Sequence, residues 1–222
     1  MSRLILSIIG LMLLQHKANA QEFAMTPLTG ANMYFSAQPF TTSSQGHKTH
    51  FSSADFIYGR IELPQTLWDA FEMKALRTHF LSLRCWVRIA KKGAEPGMWQ
   101  SWDYMMVKRG DEKNKWLNFD LLPDPAKAST VIAAGWDFEP GVAAGPLYQQ
   151  INPSNFSSSG EYSIYVRIYM ETYDGWGKQK DLAKWPCIEG SFDFTFNESD
   201  AATILANYSQ ANERITTIKK KM

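Results

Sequence analysis

The residues best placed to do chemistry in this chain are aromatic. Trp99, Trp102, Trp136 and Trp176 stand in or beside turns and an irregular stretch, where an indole is harder to bury than in mid-strand. Flat indole faces stack on sugar rings and anchor protein interfaces, so these four form a candidate ligand-binding set. Trp176 sits within Asp174-Gly175-Trp176-Gly177, at a tight turn. Carboxylates are the second resource: Glu62, Asp103, Asp120, Asp137, Glu139 and Glu171. Glycoside hydrolysis needs two facing carboxyls about 5 to 10 Å apart, and no signature singles out a pair. His47 and His50 make an H-x-x-H, but no helical pattern and no third ligand accompany them. No metal and no other cofactor is therefore expected. The sequence has no G-x-S-x-G, no H-E-x-x-H and no glycine-rich phosphate loop. The catalytic set is empty, and a non-catalytic role is the better reading.

The chain contains two cysteines, Cys85 and Cys187. In an oxidising compartment such a pair usually closes one disulfide, and each lies on or beside an apolar strand-like run. A bridge tying two strands is the expectation. Two cysteines alone do not make a four-ligand zinc site.

The compartment follows from the first 20 residues. Arg3 gives a positive start, Leu4 to Leu14 an apolar run, and Ala18-Asn19-Ala20 a small-residue cleavage site. That run is shorter than the roughly 20 residues a membrane helix needs. Export to the periplasm or the exterior, with cleavage after Ala20 and no membrane span thereafter, is expected. Lys and Arg total 23 against 22 Asp and Glu, and losing Arg3 and Lys17 with the leader tips the balance slightly acidic. A near-neutral chain offers no broad attraction to nucleic acid.

The element that must organise the rest is Gly160 to Gly177, GEYSIYVRIYMETYDGWG. Tyr162, Ile164, Val166, Ile168 and Met170 share one parity, and Ser163, Tyr165, Arg167, Tyr169 and Glu171 the other. Alternation of this kind predicts a central strand with one aliphatic face and one wetter, Tyr-lined face, turning at Asp174-Gly175 into a hairpin. Further strands are predicted over 55–63, 79–90, 99–108, 115–122 and 189–197. Thr66 and Asp69 have capping-box spacing for a short helix over 66–76. Residues 21–50 read as an irregular arm with at most an edge strand, and 126–156 as a long excursion. In the tail, Ile204, Tyr208, Ala211, Ile215 and Ile218 recur at spacings of four and three, which predicts an amphipathic helix. The division is thus a leader (1–20), an arm (21–50), a β domain (51–197) and a C-terminal helix (198–222).

Short strands between Gly/Pro turns, with Gly160-x-Tyr162 opening the central one, resemble the immunoglobulin-like sandwich. That resemblance implies a mainly β, antiparallel sandwich, with a jelly roll as the competing topology. The chain departs from antibody domains in two ways. Ile164 stands two residues after the Tyr, where those domains carry a cysteine, and Trp86 adjoins Cys85 instead of packing from another strand.

The functional expectation is a secreted or periplasmic non-catalytic module that binds a protein of the envelope or extracellular space. Tyr165 and Tyr169 on the sheet, and Ile204, Tyr208, Ile215 and Ile218 on the helix, would form the partner surface. The helix seam has two readings, docking on its own domain or self-association through a coiled coil. The alternative function is carbohydrate binding or hydrolysis through the turn tryptophans and nearby carboxylates.

Overall fold

The computed structural model describes residues 25–41, 46–71, 82–94, 100–107, 110–128, 151–170 and 185–221. These form two β-sheets and a C-terminal helix, so the chain is mainly β. The strands are β1 (Thr26–Pro27), β2 (Asn32–Ser36), β3 (His50–Ser52), β4 (Ile57–Glu62), β5 (Ser82–Lys91), β6 (Gln100–Met106), β7 (Trp116–Leu122), β8 (Gly160–Tyr169) and β9 (Pro186–Phe196). Helix α1 is Leu67–Ala70 and helix α2 is Ala201–Lys221.

The large sheet runs β1-β9-β8-β5-β6, and the small sheet β2-β4-β7. Pairing is antiparallel except along the outer edge of β9. There β1 pairs in parallel with Pro186 and Cys187, and β3 in parallel with Asp193 to Thr195. Between these two strands the chain crosses to the small sheet as β2. Where the sequence leads to the expectation of an irregular arm with at most an edge strand, the arm has short strands in both sheets. Its strands are two to five residues long and exist through their partners, so they leave no periodic mark on the sequence.

Side chains on the facing sides of the two sheets form one core. Phe35 of β2 meets Phe192 of β9 with ring centroids 4.7 Å apart, and Met33 lies so close over Gly190 that a Cβ there would stand 2.8 Å from it. Within the small sheet, Gly59 is directly opposite Phe119. A Cβ on Gly59 would come within 2.1 Å of the Phe119 ring. Both glycines thus supply room for close packing, not turn geometry.

At the entrance to β8, the Tyr162 hydroxyl donates to Ser158 O at 2.6 Å and accepts from Ser158 N at 3.2 Å. This ties the start of the central strand to the loop before it. Helix α1 begins as its sequence requires, with Thr66 Oγ1 accepting from Asp69 N at 3.1 Å. It sends Leu67 and Ala70, with the following Phe71, into the core.

Helix α2 docks on its own domain. Ile204, Tyr208 and Ala211 are buried in the main core, each of the two larger side chains being worth about 1.5–3 kcal/mol on burial. Tyr208 donates its hydroxyl to Ile151 O at 2.7 Å. At the helix start, Ser53 donates to Asp200 Oδ2 at 2.5 Å and accepts from Asn197 N at 3.1 Å. Among the described residues no helix is long and apolar enough to cross a membrane.

The expected disulfide is absent: Cys85 and Cys187 are both buried and are not bonded to each other. The register explains why. Cys85 is opposite Ile168, which is opposite Ile188, whereas Cys187 is opposite Tyr169. Directly opposed residues point to the same side, so the two thiols point to opposite faces of the large sheet. Strand β8 also lies between them, a separation of about 9–10 Å at ~4.8 Å per strand, beyond the ~7 Å limit for a bridge.

Candidate functional site

Two outer faces, one on each sheet, carry the side chains that could bind something. On the large sheet, cross-strand rows set the outer face: Arg84 with Tyr169 and Cys187, Trp86 with Arg167 and Glu189, Arg88 with Tyr165 and Ser191. Trp86 meets Tyr169 edge-on with centroids 4.9 Å apart, and Tyr169 stacks on Trp185 at 5.7 Å. Arg167 lies 5.9 Å over Trp86 and pairs with Glu189, while Arg88 lies 4.5 Å over Tyr165. Near Tyr169 this face is closed: Met25, Tyr169, Trp185 and Cys187 form a second small core. Burial, followed by the Glu189 charge, pushes the Cys187 thiol up to about 11. Burial also lowers the Arg88 guanidinium from its ordinary value. The Tyr-lined face predicted to be wetter is thus wet only around Tyr165. From Val166 to Met170 both parities are buried.

The small sheet presents a different face. Its outward rows are Asn32, Glu62 and Trp116, then Tyr34, Arg60 and Asn118, then Ser36, Tyr58 and Asp120. The third row is buried. Tyr58 accepts from Asp124 N at 2.9 Å, and its hydroxyl is pushed up to about 12, by burial first. The first two rows open outward and contain Trp116, which keeps 37% of its surface exposed.

Trp116 rests on a fixed support. The Arg60 guanidinium carbon lies 4.6 Å over its ring, a contact in which a flat cation stacks on an indole face. Arg60 is 3% exposed, and its Nε donates to Glu62 Oε1 at 2.7 Å and its Nη1 to Asn118 Oδ1 at 3.1 Å. Asn118 is fixed in turn, since its Nδ2 donates to Phe40 O at 3.1 Å. Around this support lie exposed Asn32, half-buried Tyr34 and Glu62, and exposed His47. The His47 ring is 5.6 Å from that of Tyr34.

Of the tryptophans named from sequence, Trp99, Trp136 and Trp176 lie outside the described residues. Trp102 falls in β6, opposite Trp86. Tyr165 is half-buried and Tyr169 is 1% exposed. Ile204 and Tyr208 are spent in the chain's own core, and the side chains of Ile215 and Ile218 lie outside the description. His50 meets Thr195 Oγ1 at 3.2 Å, on the other sheet from His47's neighbour Tyr34. Among the described residues no His, Cys, Asp and Glu groups gather with metal-holding geometry. Glu62 and Asp120 share the small-sheet face but lie four residues apart along the ladder. At ~3.3 Å per residue that is about 13 Å, wider than the carboxyl spacing of glycosidases.

Sequence reasoning missed Trp116, Arg60, Asn118 and Tyr34 as a group. Only the strand over 55–63, which contains Arg60 and Glu62, is legible in the sequence, because the remaining partners come from strands far apart in the chain.

No known protein family, no curated protein and no solved structure matches the chain.

Proposed function

We propose that this protein is a non-catalytic binding module that acts in the periplasm or outside the cell, and that the outer face of the small sheet is its recognition surface. One observation carries the reading: a large aromatic ring, Trp116, is held out toward solvent by a buried arginine that is itself hydrogen-bonded on two sides. Exposed rings on rigid supports are what recognition surfaces use, since little side-chain freedom is lost on binding. The leader-like first 20 residues support the compartment.

The fold reading favours the immunoglobulin-like sandwich over the jelly roll. What supports this reading is the strand order β2-β4-β7 in one sheet and β6-β5-β8-β9 in the other, which resembles the two-sheet division of that sandwich. The hydrogen bond from the Tyr162 hydroxyl back to Ser158 O at the start of β8 resembles a tyrosine corner and supports the same reading.

Export is tested by recovering the native protein and sequencing its N-terminus. Gln21 as first residue, in the periplasmic or secreted fraction, is the expected result, and an intact Met1 in the cytoplasm would overturn it. Recognition is tested by crosslinked capture from the native envelope fraction with wild-type protein and Trp116→Ala. A component held by the first and released by the second is expected. Equal capture by both would remove the small-sheet face from the argument.

A further inference from the structure

The chemistry of the small-sheet face also narrows what it holds, an inference that rests on the reading of that face as a recognition surface. We infer that the face binds the uncharged, hydroxyl-rich rings of a glycan. Trp116 supplies a flat apolar surface for the C–H face of a sugar ring. Around it are groups suited to hydroxyls: the Asn32 amide, the Glu62 carboxylate, the Tyr34 phenol and the His47 imidazole, all at least partly exposed.

Charge decides between a neutral glycan and a polyanion. The buried cation of the face, Arg60, is matched by Glu62 at 2.7 Å, so the pair presents no net positive charge to an incoming sulfate, phosphate or carboxylate. Nearby Lys115 turns its ammonium to Pro64 O at 3.0 Å. The open part of the large-sheet face, around Tyr165, carries Arg88 and is the more cationic of the two.

Spacing sets the length of ligand. Trp116 and Tyr34 sit on the two strands flanking β4, in adjacent rows. At ~4.8 Å per strand and ~6.6 Å per row, the two backbone positions are on the order of 12 Å apart. That span suits a short oligosaccharide stretch, not one monosaccharide. Among the described carboxyls of this face, Asp120 is too far from Glu62 to form a hydrolytic pair.

The test uses the full chain and defined probes: insoluble glucan, chitin and mannan as neutral glycans, and dextran sulfate beads as the polyanion. Co-sedimentation with at least one neutral glycan is expected, and it persists from about 0.05 to 0.5 M salt, where screening removes a simple ionic contact. Trp116→Ala weakens it by about tenfold or more, as for an interface anchor. Trp116→Phe retains part of it, and Leu205→Ala, at an exposed apolar site on α2, leaves it unchanged. Binding to none of the neutral probes, salt-sensitive binding to dextran sulfate alone, or equal binding by Trp116→Ala would each overturn the inference. A protein captured from the envelope through Trp116, with no glycan bound, overturns the glycan inference alone and leaves the recognition surface standing.

Discussion

The two outer faces use one device to opposite ends. Each sets an arginine against a tryptophan and gives the arginine a glutamate: Arg167, Trp86 and Glu189 on the large sheet, Arg60, Trp116 and Glu62 on the small. On the large sheet the neighbouring rings, Tyr169 and Trp185, are buried with Met25 and Cys187, and the stack becomes interior. On the small sheet the arginine is buried and the tryptophan stands out. The cation–aromatic pair is therefore no guide to function by itself. The arginine is buried in both pairs, and how far the tryptophan and the rings beside it are covered decides whether the pair is packing or a platform.

The largest expected effect tests the interior half of that comparison. Tyr169→Ala removes a ring that is 1% exposed and should cost about 3–5 kcal/mol in urea unfolding. A cost near that of a surface change would show that the large-sheet face is open. Gly59→Ala should cost about 1–3 kcal/mol or more, because its Cβ meets the buried Phe119 ring. Adding Phe119→Leu should recover part of that loss, measured as a double-mutant cycle.

Smaller effects follow. Tyr208→Phe gives up one hydrogen bond to Ile151 O and should cost about 1 kcal/mol. Trp116→Ala should cost only about 0.5–1 kcal/mol, from its lost contact with Arg60, while weakening binding about tenfold or more, the reverse of Tyr169→Ala. Cys187 closes the series. Its folded thiol titrates near 11 against 9 for the ordinary group, so the folded state holds its proton more tightly than the unfolded state does. The stability it confers is complete below about pH 9 and declines as pH rises from about 9 to 11. Cys187→Ala should flatten that part of the alkaline profile, and thiol counting under native conditions at pH 8 should detect neither cysteine.

Much of the fold was legible because β4 to β9 and α2 carry their own periodicity. Strict alternation of Leu83, Cys85, Val87 and Ile89 against Ser82, Arg84, Trp86 and Arg88 needs no partner to be read. Strand β9 shows the limit. It was expected from Glu189 but begins at Pro186, where Pro186, Cys187 and Ile188 are all buried and alternation disappears. The site was less legible than the fold. Trp116 looked like the ordinary start of a strand, and its exposure is set by its register beside Glu62 and Asn32. The buried Arg60 depends on Asn118, 58 positions away. Such long-range pairings have no local signature. The disulfide failed for a related reason: Cys187 lies before Glu189, where no alternation marks its face, and its side relative to Cys85 is fixed only when the sheet is assembled.

The parallel seating of β1 and β3 on β9 has a kinetic consequence. The first strands of the large sheet take their backbone partners from Pro186 to Thr195, almost the last part of the sheet to be synthesised. Until β9 exists, β1 and β3 have no edge to join, and the large sheet cannot be completed from its N-terminal side. Contacts so distant in sequence slow folding. Assembly on the ribosome would stall short of the native sheet until synthesis is nearly finished.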